Sequence, residues 1–160
     1  MDFGKANIDD LDLLVNLRIA YLTEDYGNIP DNQLNEISDK LPNYFRRHLN
    51  NDLYVYVARC ENDIVSCCFL LINEKPSNPT FVNGITGTVL NVYTKAEHRK
   101  KGIAKMLLNQ LISDAKKMNL DYLELQATDA GYNLYKSVGF KDVISKYHRM
   151  KIVLDEKNKF

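Results

Sequence analysis

Three consecutive cations, Arg99, Lys100 and Lys101, stand directly before Gly102 in the stretch HRKKGIAKML, residues 98–107. The residues after the glycine have the apolar spacing of a helix, so the cations gather where a helix begins. A helix N-terminus carries unpaired N–H groups and a partial positive charge, so further cations there are unfavourable unless an anion binds. Guanidinium, ammonium and backbone amide groups are all donors that phosphate oxygens accept. The stretch predicts a phosphate-binding site, although a short basic run also fits a solvated turn.

The familiar phosphate-binding loops do not match this stretch. A dinucleotide-binding GxGxxG loop needs further glycines beside Gly102, and the P-loop pattern GxxxxGK[ST] occurs nowhere in the chain. Gly102 itself lets a ligand approach the backbone, since it has no side chain in the way. The histidines, His48, His98 and His148, have no metal-ligand spacing, and no GxSxG occurs. We therefore expect neither a metal nor a covalent enzyme intermediate.

Composition narrows the class of protein. The chain has 160 residues, which fits one domain over 1–160, and it is 45% hydrophobic and 26% charged, as in an ordinary globular protein. The formal net charge is zero, so no overall field attracts nucleic acid or a membrane surface. The three cysteines lack CxxC spacing, and no signal peptide or membrane-length apolar run is found. We expect a cytoplasmic protein without nucleic-acid or membrane partners.

Hydrophobic periodicity indicates the elements that position the basic stretch. After a first strand, Asn7 is placed to cap a helix over residues 8–23. A second helical segment covers residues 31–49 and is interrupted or kinked near Pro42. Both helices precede the strands that the next part of the chain predicts.

Runs rich in β-branched and aromatic residues predict those strands. The first two form an antiparallel hairpin, and the adjacent Cys67 and Cys68 point to opposite faces of its second strand. Gly139 suits the C′ position of the last helix. In chain order we predict strands at 53–60, 64–72 and 85–94, a helix at 102–118, a strand at 121–127, a helix at 129–138, and strands at 140–144 and 147–154. This order indicates a mixed α/β sandwich.

Two motifs in this framework resemble those of the GNAT superfamily of N-acyltransferases. The pattern Arg99-x-x-Gly102-x-Ala104, after the strand VLNVYT, is similar to the acyl-CoA signature of that family. LYKSVGF, residues 134–140, is similar to its second signature, a tyrosine-bearing helix followed by Gly-Phe. The order of elements also matches, so the resemblance covers nearly the whole chain. Thr128 stands where the family often has an asparagine that contacts pantetheine.

The resemblance implies a mixed, mainly antiparallel central sheet with a splayed strand pair and helices on both faces. In such a fold the strand ending at residues 92–94 separates from strand 121–127, and the pantetheine arm of acetyl-CoA lies in the gap. Amides of Val92 and Thr94 would bond pantetheine as an added strand does, and one could polarise the thioester carbonyl. The residues expected to bind acetyl-CoA are Val92, Tyr93, Thr94, Arg99, Lys100, Lys101, Gly102, Ile103, Ala104 and Lys105.

By the same resemblance Tyr135 matches the family tyrosine that protonates the departing CoA thiolate. A phenol suits that role because its reference pKa of about 10 is near that of a thiol. Tyr135 equally fits a packing role, since the chain holds ten tyrosines. The base stays open between Glu24, Asp25 and Glu124, each of which also fits a surface ion pair. Glu24 and Asn91 are the expected substrate-binding residues, although Asn91 equally fits a local bulge.

We therefore expect an acetyl-CoA-dependent N-acetyltransferase in which a primary amine attacks the thioester directly. The alternative is a non-catalytic CoA-binding or sensor module of the same fold. The acceptor segments, about 20–50 and 73–83, carry mixed charge and several tyrosines. They fit small amines, polyamines, aminoglycosides or peptide N-termini, and the sequence does not choose among these acceptors or between a monomer and a homodimer.

Overall fold

A five-stranded sheet forms the centre of the molecule in the computed structural model, which describes residues 1–158. The strands are β1 (Asp2–Lys5), β2 (Leu53–Cys60), β3 (Asp63–Glu74), β4 (Ile85–Thr94) and β5 (Leu123–Glu124). They lie in chain order, antiparallel from β1 to β4, while β5 runs parallel to β4. The predicted mixed, mainly antiparallel sheet is confirmed.

Helices cover both faces of this sheet, as predicted. Within residues 1–158 they are α1 (Leu11–Tyr26), α2 (Asp31–His48), α3 (Ile103–Lys117) and α4 (Asp129–Ser137). On one face Leu14 and Phe45, from α1 and α2, belong to a buried cluster that includes Val55 of β2. On the other face Leu107 of α3 belongs to a cluster that includes Tyr56 of β2. None of the helices in residues 1–158 combines the length and apolarity that crossing a bilayer requires.

The adjacent cysteines of β3 show why both faces must be covered. Cys67 packs in the cluster under α1 and α2, and Cys68 packs in the cluster under α3. Both side chains are buried, and burial raises the pKa of the Cys67 thiol to about 12. The prediction that they point to opposite faces is confirmed, and at neutral pH Cys67 is a thiol that packs as a small apolar group.

The start of α1 is fixed by a capping box joined to a buried ion pair. Asn7 caps a 3₁₀ turn, Ile8–Asp10, that leads into α1, and its N–H donates to Oδ2 of Asp10 at 2.8 Å. The Asp10 carboxylate also accepts two bonds from Arg59 of β2, at 2.7 and 2.8 Å. The predicted cap is confirmed, and the α-helix proper begins at Leu11 and continues to Tyr26, past the predicted end. Asp10 thereby joins the first helix to the sheet.

β4 keeps one partner strand along its length and loses the other. Its pairing with β3 continues to Thr94, whereas its pairing with β5 ends at Thr88. At Gly87 the strands approach so closely that a Cβ atom would lie 2.6 Å from a methyl carbon of Leu123. Beyond that contact a bulge in β4, with Asn91 at a φ of 50°, disturbs the register with β3. The predicted splayed strand pair is confirmed.

The prediction of an interruption near Pro42 is wrong. α2 continues from Asp31 to His48 with Pro42 inside it. Proline removes one N–H donor from a helix. Here the packing of Phe45, one turn later and fully buried, holds the helix in place. Tertiary packing overrides the local penalty.

The two predicted closing strands, 140–144 and 147–154, are wrong: the described chain has no strand in either range. A segment with several apolar residues forms a strand only where a neighbouring strand accepts its backbone hydrogen bonds. β5 pairs only two residues with β4, and the last segment runs past it without joining the sheet. Side-chain hydrogen bonds hold this segment instead: the Asp142 carboxylate accepts from the Tyr132 hydroxyl and from the Lys136 ammonium group of α4. The predicted strand 121–127 is likewise reduced to Leu123–Glu124.

We expect Asp10→Asn to destabilise the fold by about 2–3 kcal/mol at pH 7, because it weakens a charged, largely buried bond to Arg59. The Arg59 guanidinium holds the pKa of Asp10 below its usual value. A lowered folded-state pKa gives stability that is present above about pH 4 and lost as the pH falls through the folded value. The difference between wild type and variant should therefore shrink in acid.

Urea unfolding at pH 7 and at pH 3 measures this difference. Asp9→Asn is the matched control, since Asp9 is exposed and makes no ion pair within residues 1–158. Equal destabilisation by the two variants at pH 7 would remove the role given to the Asp10–Arg59 pair.

Candidate active site

The gap between β4 and β5 presents unpaired backbone donors. The N–H of Lys95 donates to Val65 of β3 at 2.9 Å, so it points away from the gap. Successive residues of a strand direct their N–H groups to opposite sides. The N–H of Thr94 therefore faces the gap, and so does its carbonyl, which accepts from Nε of Arg99 at 2.8 Å. The end of β4 is an open edge that can pair with an extended ligand.

The gap leads to the N-terminus of α3, which no side chain caps. Gly102 is the N-cap residue with a φ of 76°, and Lys100 also has a positive φ of 59°. A Cβ on Gly102 would meet no atom within 4 Å, so the backbone there borders open space. Uncapped N–H groups beside open space fit an anionic group.

Cations surround this helix start. Lys100, Lys101 and Lys105 are exposed, and none of them forms an ion pair with a carboxylate in residues 1–158. Their charges add to the positive end of the helix, where nothing in the described chain neutralises them. The neutral overall charge thus conceals a local positive site.

Arg99 differs from the three lysines because it has a partner. Its Nη2 lies 2.6 Å from Oε2 of Glu24 at the end of α1, and its guanidinium lies 5.7 Å from the Tyr93 ring centroid. The Arg99 side chain is 40% exposed and the Glu24 side chain is 53% exposed. Such an exposed pair contributes about 0–1 kcal/mol to the stability of the fold. Glu24 thus lies beside the basic stretch, and a phosphate could replace it on Arg99 at little cost.

Two predicted residues can contribute only their backbone to this site. The side chain of Ile103 is 3% exposed and packs in the core under α3. Ala104 has only a methyl group. The role open to these residues is that of N–H donors in the first turn of α3.

Tyr135 of α4 lies with its ring half in the core. The ring makes an edge contact with Phe140, at 6.0 Å between centroids, and packs against the α3 cluster. Its hydroxyl makes no hydrogen bond to any of residues 1–158, so it can donate to a ligand. Burial raises the pKa of Tyr135 to about 12, and the nearby Tyr21 hydroxyl and Cys68 thiol add to the rise. The phenol is protonated throughout the neutral pH range.

Gly131 makes room for that ring, and the sequence analysis missed it. A Cβ at this position would lie 2.8 Å from Cε2 of Tyr135, one turn away in α4. Thr128 caps the same helix, its hydroxyl accepting from the Gly131 N–H at 3.2 Å. A glycine in the first turn of the helix, four residues before the tyrosine, was the available signal.

The three candidate bases are dispersed. Glu24 is paired with Arg99, and Asp25 accepts a long bond of 3.4 Å from the hydroxyl of Tyr21. Glu124 is exposed on β5, with Lys75 at 3.9 Å. The geometry brings Glu24 and Asp25 to the end of α1 and places Glu124 on β5.

Asn91 is buried at the β4 bulge, and its partner Arg18 was also missed. The side-chain Oδ1 of Asn91 accepts a hydrogen bond from Nη1 of Arg18 at 3.0 Å. The side-chain nitrogen Nδ2 of Asn91 lies 3.4 Å from Sγ of Cys67. Tyr21 lies under the Arg18 guanidinium and makes an edge contact with Tyr93. A single cation in the apolar stripe of α1 was the signal in the sequence. α1 therefore brings a guanidinium and a phenol to the point where β4 leaves β5.

Taken together, these elements form one continuous path. It starts at the cationic N-terminus of α3, follows the open edge of β4, and reaches the Tyr21–Tyr135 region. Such a path can hold an extended ligand with phosphates at one end and a reacting group at the other.

Comparisons with known proteins agree with this geometry. Residues 51–142 match the model of the acetyltransferase (GNAT) domain family, which is more than half of the chain. A search of curated proteins finds no matching sequence.

Solved structures resemble the chain over nearly its full length. One is a predicted acetyltransferase with acetyl-CoA from Clostridium acetobutylicum, at 30% identity and a TM-score of 0.82, covering 94% of this chain and 95% of that one. A GCN5-related N-acetyltransferase from Ralstonia eutropha has 22% identity and a TM-score of 0.77, with 93% and 97% covered. A ribosomal-protein-alanine N-acetyltransferase from Brucella melitensis has 22% identity and a TM-score of 0.66, with 94% and 100% covered. The last two share the fold alone, whereas the family match and the first structure show that this chain belongs to the GNAT superfamily of acetyltransferases.

Proposed function

We propose that the protein transfers an acetyl group from acetyl-CoA to a primary amine, and that residues 1–160 form one catalytic domain. One arrangement carries the proposal: the open edge of β4 leads from an uncapped, lysine-rich helix start to the Tyr135 hydroxyl, which makes no hydrogen bond within residues 1–158. A CoA thioester has the matching order of groups, with phosphates at one end, an amide-rich arm and a reactive carbonyl at the other.

The cofactor-binding residues divide by the part of acetyl-CoA they would hold. The positive charges of Lys100, Lys101 and Lys105 attract the phosphates. Arg99 joins them when a phosphate replaces Glu24 as its partner. Gly102, Ile103 and Ala104 supply backbone N–H groups at the start of α3. Val92 and Thr94 pair with the pantetheine arm through the open edge of β4, and Tyr93 packs against Arg99 from the other face.

The reaction needs a proton at the leaving sulfur. The amine nitrogen forms a bond to the thioester carbon, the carbon–sulfur bond breaks, and the sulfur leaves as a thiolate. Tyr135 stands as the donor to that sulfur. Its pKa of about 12 lies roughly 3.5 units above the thiol reference of about 8.5, a difference of roughly 5 kcal/mol. Full transfer of the phenolic proton is therefore uphill, and the hydroxyl acts chiefly through the hydrogen bond it donates as the bond breaks.

The attacking amine must also lose a proton. Glu24 is paired with Arg99 of the basic stretch, and it is released when phosphate takes Arg99. We assign Glu24 and Asn91 to the acceptor side of the site, Asn91 through the bulge that shapes it. The departing proton passes to water, because no candidate carboxylate has a second feature that singles it out as base.

Acetyl-CoA should raise the melting temperature of the protein, since a ligand that binds only the folded state stabilises it. Acetyl-pantetheine lacks the phosphates and should lose most of the shift. Differential scanning fluorimetry measures both ligands. Lys101→Glu should reduce the acetyl-CoA shift, whereas Lys116→Glu, at the far end of α3, should not. An equal shift with acetyl-pantetheine would exclude the phosphate site.

Tyr135→Phe should lower kcat by roughly 10²-fold, the usual contribution of a positioned proton donor. The ring and its contact with Phe140 are kept, so the melting temperature and the affinity for acetyl-CoA should change little. Steady-state thiol release with a reactive amine measures the effect. Tyr132→Phe is the control on the same helix, since Tyr132 bonds Asp142 outside the path. An undiminished kcat would make Tyr135 a packing residue.

Gly131→Ala should separate stability from activity. Alanine favours a helix over glycine by up to about 1 kcal/mol, which opposes the cost of moving the Tyr135 ring, so the melting temperature should change little. The new methyl group must displace the Tyr135 ring, and we expect kcat to fall by roughly 10-fold or more. In the Tyr135→Phe background the same substitution should have little further effect on kcat. If each substitution lowered kcat independently, so that the two losses multiplied in the double variant, Gly131 would act through a group other than Tyr135.

A further inference from the structure

A cavity lies between α1, α2 and the sheet face at β4. Its volume is about 230 Å³, and besides Arg18 its walls are aliphatic and aromatic, including Leu41, Tyr44, Phe45 and Leu90. This volume is below the range of about 300–1,000 Å³ that drug-sized ligands occupy. The cavity therefore suits a small ligand with an apolar body.

Arg18 is the exceptional group in this wall because it is charged and forms no ion pair within residues 1–158. Among residues 1–158 no carboxylate lies within ion-pair distance of its guanidinium. The nearby acids have other partners: Asp25 accepts from Tyr21, and Asp52 lies 2.8 Å from Nδ1 of His48. A partly buried cation beside apolar walls is unfavourable without a counterion.

The guanidinium also keeps donors for a ligand. One of its five N–H donors is bonded to Oδ1 of Asn91, and its plane rests over the Tyr21 ring at 5.6 Å. Holding Asn91 at the bulge requires a single hydrogen bond, which a neutral amide could provide. A full positive charge at this position has a use when an anion enters the cavity.

The cavity adjoins the reaction centre proposed above. Leu90 in its wall directly precedes Asn91, and Val92 follows at the open end of β4. Tyr21, on the next turn of α1, lies near enough to Tyr135 to help raise its pKa. A small molecule with its anionic group on Arg18 would thus lie beside the bulge at Asn91, next to the open end of β4.

We propose that this cavity binds the acceptor and that Arg18 pairs with a carboxylate on it, so that the substrate is a small apolar amino acid. The proposal rests on the acetyltransferase function proposed above. The α-amine of this amino acid becomes the acetylated nitrogen, and the side chain of the amino acid fills the apolar part of the cavity. Polyamines and aminoglycosides are disfavoured, since Arg18 repels further cations, and peptide N-termini lack the adjacent carboxylate.

Steady-state thiol release with acetyl-CoA tests the carboxylate requirement. Leucine is compared with leucinamide and 3-methylbutylamine, which share its apolar body without the carboxylate, and with spermidine. A charged hydrogen bond of about 1.5–3 kcal/mol predicts that kcat/KM favours leucine by on the order of 10- to 100-fold. Arg18→Gln should abolish the preference and Arg18→Lys should keep part of it. Arg46→Gln, which removes an exposed cation from α2, should leave it unchanged.

A binding measurement without turnover keeps the two proposals distinguishable. N-acetylleucine should stabilise the wild-type protein in the presence of CoA more than N-acetylleucinamide does, and Arg18→Gln should remove the difference. If that difference is found but no amine is acetylated, the acceptor site stands and the transferase proposal fails. If 3-methylbutylamine is acetylated as well as leucine, or if Arg18→Gln keeps the leucine preference, the role of Arg18 is overturned while the transferase proposal stands.

Discussion

The divergence of β4 from β5 is the constraint on which the rest of the site depends. The two strands touch at Gly87, where a side chain would collide with Leu123, and their pairing ends one residue later. β3 continues to hold the other edge of β4 as far as Thr94. Because one edge is paired and the other open, β4 offers rigid, correctly spaced backbone groups to a ligand without a rearrangement of the sheet. The bulge at Asn91 sets the position at which the open edge meets α1.

Electrostatic organisation is local in this protein. The chain has no net charge, yet the lysines before and inside the first turn of α3 lack anionic partners in residues 1–158. Only Arg99 is paired, through an exposed contact with Glu24 that contributes little free energy. The same separation holds inside the molecule. Asp10 and Arg59 neutralise each other and join the first helix to the sheet, whereas Arg18, at the edge of a cavity, forms no ion pair within residues 1–158.

The two tyrosines at the proposed reaction centre come from helices on opposite faces of the sheet. Tyr21 belongs to α1, on the face that Phe45 fills, and Tyr135 belongs to α4, on the face that α3 fills. A glycine in α4 allows the Tyr135 ring to settle, and burial keeps its hydroxyl protonated. Packing thus prepares a hydrogen-bond donor rather than a strong acid.

The sequence by itself determined the elements whose signals are local. Asn7 and the acidic residues after it predicted a cap, and runs rich in β-branched and aromatic residues predicted β2 to β4. The cations before Gly102 led to the prediction of an anion site at the start of α3. The motifs around Arg99 and Tyr135 indicated the family. Only the tertiary structure decided the features that depend on distant partners. The apolar residues within 140–154 suggested two strands, but in the described chain neither segment pairs with a neighbouring strand. α2 passes Pro42 because Phe45 is buried beyond it, and Arg18 meets Asn91 across 73 residues of sequence. Hydrogen bonds within a turn can be read from neighbouring residues, whereas a cavity and the charge left unpaired in it exist only after the helices have packed.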